Sequence, residues 1–130
     1  MPLRFDHEKL NVYQRSLQFV IWVTEILDRV PPKLVAHNPL DRTSTSIPLN
    51  IAEGNGRYSN SARCRFFDIA RGSVLECAAA LDVLVAKKVL SEKDSELGKT
   101  QLVGIVNMLV GLIRSNSASR LHEDEIPYKA

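Results

Sequence analysis

The sequence predicts an all-α protein, an up-and-down antiparallel four-helix bundle. Four segments carry apolar residues at spacings of three and four, which is the period of an amphipathic helix. No segment alternates like a β-strand, and short Pro-, Gly- or Ser-containing stretches separate the four segments. The length of 130 residues is enough for one domain. We assign residues 1–115 to the bundle and residues 116–130, which are polar and aperiodic, to a flexible C-terminal tail.

Composition excludes several protein classes. Apolar residues make up 45% and charged residues 25%, which excludes collagen and low-complexity disorder, and the length excludes a multidomain enzyme. The formal charge of +2 argues neither for nor against nucleic acid. Cys64 and Cys77 fall in one predicted helix, about 20 Å apart, so they cannot form a disulfide within the chain. No apolar run reaches the length of a membrane span and no signal peptide is visible, so we expect a cytoplasmic protein with no membrane partner.

The first predicted helix covers residues 8–30 and carries two apolar stripes. One stripe suffices to join a bundle, so the second is expected to face outward and to make the chain an oligomer. The alternative is a helix that lies centrally in an unusual monomer. The stripe assigned to the bundle contains Leu10, Tyr13, Leu17, Val20, Ile21, Thr24 and Leu27. The stripe assigned to the oligomer interface contains Val12, Ser16, Phe19, Val23, Ile26 and Val30.

The other three helices follow from local signals. Pro31 and Pro32 end the first helix, and the second covers residues 39–53 although Pro48 is expected to bend it. Residues 54–60 form a loop, and Ser59 or Asn60 caps a third helix that runs to about residue 89. Ile69 and Val83 lie on an outer face of this helix and extend the predicted oligomer interface. Ser91 caps the fourth helix.

No catalytic or metal-binding pattern is visible. The histidines His7, His37 and His122 are scattered, and neither a Glu-x-x-His pair nor a Walker loop is present. We therefore predict a protein that is not an enzyme and that has no metal and no cofactor. Glu53 and Glu76 are the only candidates for a carboxylate pair in a nuclease, and ion pairs with nearby arginines are the preferred interpretation.

A basic cluster follows the second helix. Four arginines stand between residues 57 and 71 against a single acid, Asp68, and arginine binds phosphate in bidentate fashion. An adjacent tyrosine offers a stacking face for an unpaired base. The predicted nucleic-acid-binding residues are Arg57, Tyr58, Arg63, Arg65 and Arg71.

A structural interpretation of the same cluster stays open. Arg63 lies on the inward side of the predicted helix, where it could pair with Glu53 and cap the end of the bundle. Arg65 could belong to a subunit contact, and Arg71 flanks the core.

Two central motifs resemble a known family. The first is Ser-Ile-Pro-Leu-Asn-Ile-Ala-Glu-Gly at residues 46–54, followed by Gly56 and Arg57. The second is Phe-Phe-x-Ile-Ala-Arg-Gly-Ser at residues 66–73, with Glu76. Together with Leu-x-Val-Tyr at residues 10–13, they resemble the four-helix-bundle proteins encoded in intervening sequences of bacterial 23S rRNA genes. The resemblance spans about residues 8–114.

This resemblance implies a homopentamer, a closed ring of bundles, with no established enzymatic activity. The family is similar to the accessory protein of diversity-generating retroelements, a basic pentameric barrel that binds nucleic acid and a reverse transcriptase. A reverse-transcriptase-like protein is therefore a possible partner. Four matching polar residues are interpreted as a structural network at the end of the bundle: Asn50, Glu53, Ser73 and Glu76.

The function expected from the sequence is a non-enzymatic, oligomeric scaffold that binds nucleic acid, either RNA of the rRNA type or DNA. The alternative is a protein-interaction module that docks a partner on its apolar outer face.

Overall fold

The chain folds into four α-helices in the part that the structure, a computed structural model, describes: residues 4–124, with side chains as far as residue 117. A short 3-10 helix, Asp6–Lys9, precedes them. No strand occurs in residues 4–124, so the all-α prediction is confirmed. The helices are α1 (Asn11–Leu27), α2 (His37–Asn55), α3 (Asn60–Ala86) and α4 (Glu92–Asp124).

The helix ends differ from the predicted ones in physically simple ways. α1 ends at Leu27, several residues before the two prolines, and α2 runs through Pro48 without a break. Ser59 caps α3 as predicted, because its hydroxyl accepts a hydrogen bond from the backbone N–H of Ala62 at 3.1 Å. α4 continues to Asp124, so residues 116–124, which the sequence analysis assigned to the tail, are helical. Residues 125–130 of the predicted tail lie outside the described residues.

Apolar side chains from all four helices share one core. α1 and α3 each pack against both α2 and α4. The largest fully buried side chains are Phe19, Phe67, Ile26, Leu40, Ile47, Ile51, Leu81, Leu84, Ile105, Leu109, Val23 and Val74.

The stripe of α1 that the sequence assigned to the oligomer interface faces the core instead. The residues assigned to the oligomer interface lie in the core of the single chain. Their exposures are 3% for Val12, 0% for Phe19, 1% for Val23, 1% for Ile26 and 3% for Val30. The assignment of these five residues to an outer face was therefore wrong.

The outward side of α1 carries part of the other stripe, since Leu10, Tyr13 and Leu27 of that stripe pack against the core. Ile21 is 62% exposed, and Leu17 and Val20 are half-buried. α1 is therefore apolar on two sides, as predicted. Ser16 is one reason why the sequence does not show which stripe of α1 faces the core. It looks polar in sequence, yet it is fully buried because its hydroxyl donates to the carbonyl of Tyr13 at 2.7 Å.

Two glycines allow aromatic rings to contact helix backbones. A Cβ on Gly98 of α4 would lie 2.5 Å from Cη2 of Trp22 in α1, and a Cβ on Gly54 of α2 would lie 2.9 Å from the ring of Phe67 in α3. Neither position has room for a side chain. These contacts fix the register of α1 on α4 and of α2 on α3.

The segment Glu92–Ser117 of α4 is long and apolar enough to cross a membrane, by length and composition only. No uninterrupted apolar run marks this segment in the sequence, because polar residues such as Gln101 and Asn107 stand within it. Core helices of soluble proteins satisfy the same criterion. The buried residues Leu102, Ile105 and Leu109 are the core side of this helix.

Candidate nucleic-acid interface

The basic cluster lies at one corner of the bundle, where α2 ends and α3 begins. Asn55, the last residue of α2, donates from its side chain to the carboxylate of Asp6 at 2.9 Å. This bond ties the N-terminal 3-10 helix to the corner. The result is an open groove of about 540 Å³, which we call the corner groove. It is lined by His7, Leu49, Ala52, Glu53, Gly56, Arg57 and Tyr58.

Arg57 and Glu53 form an ion pair inside this groove. Nη2 of Arg57 lies 2.5 Å from Oε2 of Glu53, one helical turn earlier in the sequence, and both side chains are about half exposed. The guanidinium also lies 4.8 Å from the centre of the Phe66 ring, within the range of a cation–π contact. The ion pair and the ring together hold Arg57 at the edge of the groove.

Arg65 reaches the same ring from α3. Its guanidinium lies 6.0 Å from the centre of Phe66, and the residue is exposed. Among the described residues it has no acidic partner within ion-pair distance. Arg65 is therefore the arginine of the cluster that is most available to an external anion.

Tyr58 is fully exposed in the loop beside the groove, with a relative accessibility of 104%. An aromatic ring left entirely in water contributes nothing to the core. Its π-face is available for stacking.

Arg63 contributes to the structure of the corner instead. It donates from Nη1 to the carbonyl of Asn55 at 2.7 Å and from Nε to Oδ1 of Asn116 in α4 at 2.9 Å. It also donates to the carbonyl of Arg57 at 3.2 Å. The structural interpretation of Arg63 as a cap on the bundle is confirmed, although its partners are backbone carbonyls and Asn116, and not Glu53. These bonds engage most of its donors within the chain, and its assignment to the nucleic-acid contact stays a prediction.

Arg71 is half-buried and pairs with Asp68 on the same helix, where its Nη2 lies 3.0 Å from Oδ1. This pair partly neutralises Arg71. Of the five predicted nucleic-acid-binding residues, the structure brings Arg57 and Tyr58 to the groove and Arg65 beside it.

The predicted polar network is divided between two places. Thr43 donates to Oε2 of Glu76 at 3.1 Å, and the hydroxyls of Ser46 and Ser73 lie 2.6 Å apart. Asn50 donates to the carbonyl of Ser46 at 2.9 Å. The first two bonds join α2 to α3 and form a polar seam, which we call the α2–α3 seam, and the bond of Asn50 lies within α2 beside it.

Glu53 is not part of the α2–α3 seam, because it pairs with Arg57. Glu76 contacts Thr43, ten residues before Glu53 on α2, so the two carboxylates are about 15 Å apart along that helix. They do not form the carboxylate pair that a nuclease of this type would need. Among the described residues, no group of three or more His, Cys, Asp or Glu side chains could hold a metal ion.

Sequence reasoning missed three residues of the corner. His7 and Leu49 line the groove, and the Phe66 ring supports two arginines. His7 belongs to a segment with no helical period, so only the fold brings it near α2. Leu49 could have been found from the sequence, because its position places it on the side of α2 opposite the core residue Ile47. In the structure it is 64% exposed.

The thiols differ in their surroundings. Cys77 is buried in the core, and burial, aided by the negative charge of Glu76, raises the pKa of its thiol to about 12. Cys64 is half-buried and lies 3.6 Å from the carbonyl of Ile113 and 3.5 Å from the hydroxyl of Ser117. Both are free thiols in this fold.

Apolar side chains outside the corner remain exposed on several helices. Ile69 and Val83, the two α3 residues of the predicted interface, are 43% and 38% exposed, which matches their predicted outward position. Leu97 and Val103 on α4 are 54% and 56% exposed. Together with Ile21 on α1, they supply apolar surface that the single chain does not cover.

Comparison with known proteins gives a family and a fold. The family model described as 23S rRNA-intervening sequence protein matches residues 8–111. No curated protein matches the chain.

Among solved structures, the chain is similar to a protein with unknown function from the S23 ribosomal protein family of Bacteroides thetaiotaomicron. The TM-score is 0.74 at 21% sequence identity, and the match covers 79% of this chain and 98% of that chain. At this identity the likeness concerns the fold alone.

Proposed function

Because the chain belongs to the family of 23S rRNA-intervening sequence proteins, we propose that it is a non-enzymatic scaffold that binds unpaired RNA at the corner groove. The fully exposed ring of Tyr58, next to the guanidinium of Arg57, is the observation that carries this proposal. Proteins that bind single-stranded nucleic acid combine such a stacking ring with cations that follow the phosphates.

The charges at the corner favour unpaired RNA over a duplex. Arg57 and Arg71 are each partly neutralised by one acid, and Arg63 is held by the bundle, so Arg65 supplies most of the free charge. A duplex contact of many phosphates would need more cations than this. Stacking on Tyr58 adds affinity that does not depend on charge.

We also propose that several copies act together, in a closed ring of five bundles. The number of copies rests on the family resemblance. The subunit contact would use the apolar surface of Ile21, Leu97 and Val103, and it would repeat the corner groove around the ring, which raises avidity. Within each subunit, the contacts of Trp22 with Gly98 and of Ser46 with Ser73 support up-and-down helices.

The apolar surface also supports a second candidate function, a protein-interaction module whose partner, such as a reverse-transcriptase-like protein, docks on α1 and α4. Recovery of one stoichiometric protein that remains bound after nuclease treatment would favour this function over RNA binding. A cytoplasmic location fits either function.

The test of RNA binding is the salt dependence of affinity. Fluorescence anisotropy with a single-stranded RNA should show affinity that falls by about threefold for each phosphate contact between about 50 and about 200 mM salt. Arg65→Ala should lower the slope of log affinity against log salt by about 0.7, the value for one phosphate contact on a single strand. Arg42→Ala, which removes an exposed arginine elsewhere on α2, is the matched control and should leave the slope unchanged. Absence of binding at both salt concentrations would contradict the proposal.

A further inference from the structure

The corner groove contains a carboxylate as well as a cation. Glu53 is about half exposed, and Arg57 contacts it through Oε2 at 2.5 Å. We propose that Glu53 recognises an unpaired guanine in this groove. This inference rests on the proposed function and specifies which base the groove accepts.

The donor pattern of guanine is the reason for this choice. An ionised carboxylate only accepts hydrogen bonds, and its two oxygens have about four lone-pair sites, so Glu53 can keep Arg57 on Oε2 and still accept from two adjacent donors. Guanine presents N1–H and the N2 amino group side by side on its Watson–Crick edge. Adenine and cytosine present one amino group next to a ring nitrogen that accepts, and this nitrogen would repel a carboxylate oxygen. Uracil presents a single N–H between two carbonyl groups.

The surroundings of Glu53 suit a base. The ring of Tyr58 is fully exposed and Leu49 is 64% exposed, so the groove offers a π-face and an apolar surface on which a base can lie. Its volume of about 540 Å³ has room for a nucleobase with its ribose, and lies in the range of small-molecule sites.

Arg57 holds the carboxylate in place. The guanidinium is fixed by the Phe66 ring at 4.8 Å, so the ion pair orients Glu53 before any ligand arrives. A positioned acceptor loses less freedom on binding than a mobile one. If Glu53 served only to neutralise Arg57, it would not distinguish one base from another.

The experiment compares single-stranded RNAs about ten nucleotides long, a length within the usual site size of single-strand binders. Each is oligouridine with one central guanine, inosine, adenine or uracil. The guanine RNA should bind about tenfold more tightly than the uracil RNA, as expected for hydrogen bonds to a charged acceptor. Inosine keeps N1–H and lacks the amino group, so it should lose most of this advantage.

Two variants separate recognition from charge. Glu53→Gln should abolish the preference for guanine while the protein still binds the uracil RNA. Asp68→Asn is the matched control, because it frees Arg71 from a comparable ion pair of 3.0 Å and changes the net charge by the same amount. This variant should keep the tenfold preference.

The outcomes are distinct. Equal affinity for all four RNAs, with normal salt dependence, would overturn guanine recognition and leave the proposed function intact. A guanine preference that survives Glu53→Gln would overturn the role of Glu53. Absence of binding by every RNA would overturn both this inference and the proposed function.

Discussion

Two helix pairs of this bundle are held together by different chemistry. α2 and α3 share side-chain hydrogen bonds, Thr43 to Glu76 at 3.1 Å and Ser46 to Ser73 at 2.6 Å. α1 and α4 instead bring the Trp22 ring against Gly98. Near the end of this pair, Arg29, which follows α1, donates a hydrogen bond to Asp94 of α4 at 3.2 Å.

This difference continues onto the surface. The α2–α3 pair exposes Ile69 and Val83 but ends in a corner with arginines, a carboxylate and an exposed tyrosine, whereas the exposed side chains of α1 and α4 include Ile21, Leu97 and Val103. A polar corner suits a charged ligand, and an apolar surface suits a protein contact. Under the proposed function the two parts of the molecule would have separable roles, and substitutions in one should not affect the other.

The largest effect is expected from the inward side of α1. Phe19→Ala should lower the free energy of unfolding by about 3–5 kcal/mol, because the ring is fully buried and a cavity would remain. Ile21→Ala on the outward side of the same helix should cost about 0.5 kcal/mol or less in the isolated subunit. Urea unfolding at low protein concentration measures both values. A larger loss for Ile21→Ala would contradict the assignment of the two stripes.

A pH effect is expected from the core next to the α2–α3 seam. Burial raises the pKa of Cys77 from 9.0 to about 12, so the folded chain keeps a proton that the unfolded chain loses first. This stabilisation is complete below pH 9.0 and should be lost as the pH rises towards about 12, by at most about 1.4 kcal/mol per pH unit.

The comparison with Cys77→Ala isolates this effect, since the other titrating groups are common to both proteins. The difference in unfolding free energy between the two should shrink above pH 9.0. A constant difference across the alkaline range would show that the thiol titrates alike in the folded and unfolded chains.

The contact between α1 and α4 should be sensitive to a single methyl group. Gly98→Ala places a Cβ 2.5 Å from Trp22 and 2.9 Å from Leu81, so it should cost about 1–3 kcal/mol although alanine favours helices. Gly111→Ala in the same helix is the control, because a Cβ there meets nothing within 4 Å. Gly111→Ala should stabilise the fold by up to about 1 kcal/mol. Thermal unfolding of the two variants should shift in opposite directions, and equal shifts would argue against a tight contact at Gly98.

The smallest effect on stability is expected from a substitution on the outward side of α1. The quantity to measure there is the mass of the assembly. Ile21→Asp should leave the helix content unchanged and reduce the mass measured by light scattering to that of one subunit. Val35→Asp replaces an apolar residue that is 74% exposed outside the helices, so it should leave the mass of the assembly unchanged. A wild-type protein that is already a single subunit would contradict the proposed ring.

The sequence was sufficient for the helices because their apolar periods are long and uninterrupted. It could not assign the two stripes of α1 to their sides, since both have the same spacing and similar apolarity. That choice depends on the packing of Phe19 among the other helices. The surroundings of the Arg63 side chain also depend on its direction in the fold. Sequence spacing alone is compatible with a place in the basic cluster and with a place at the end of the bundle.

The corner groove was only partly predictable. Arg57 and Tyr58 stand out as neighbours in a loop, but His7 reaches the groove through the hydrogen bond between Asp6 and Asn55, a contact that no local pattern encodes. Phe66 follows the period of the core and instead supports two cations.

Ultraviolet crosslinking of bound RNA tests the central claim most directly. After irradiation of the full-length protein with single-stranded RNA and digestion with trypsin, the crosslinked peptide should be residues 58–63, which begins with Tyr58 and ends at Arg63. Crosslinks confined to peptides of α1 or α4 would contradict the assignment of RNA binding to the corner groove.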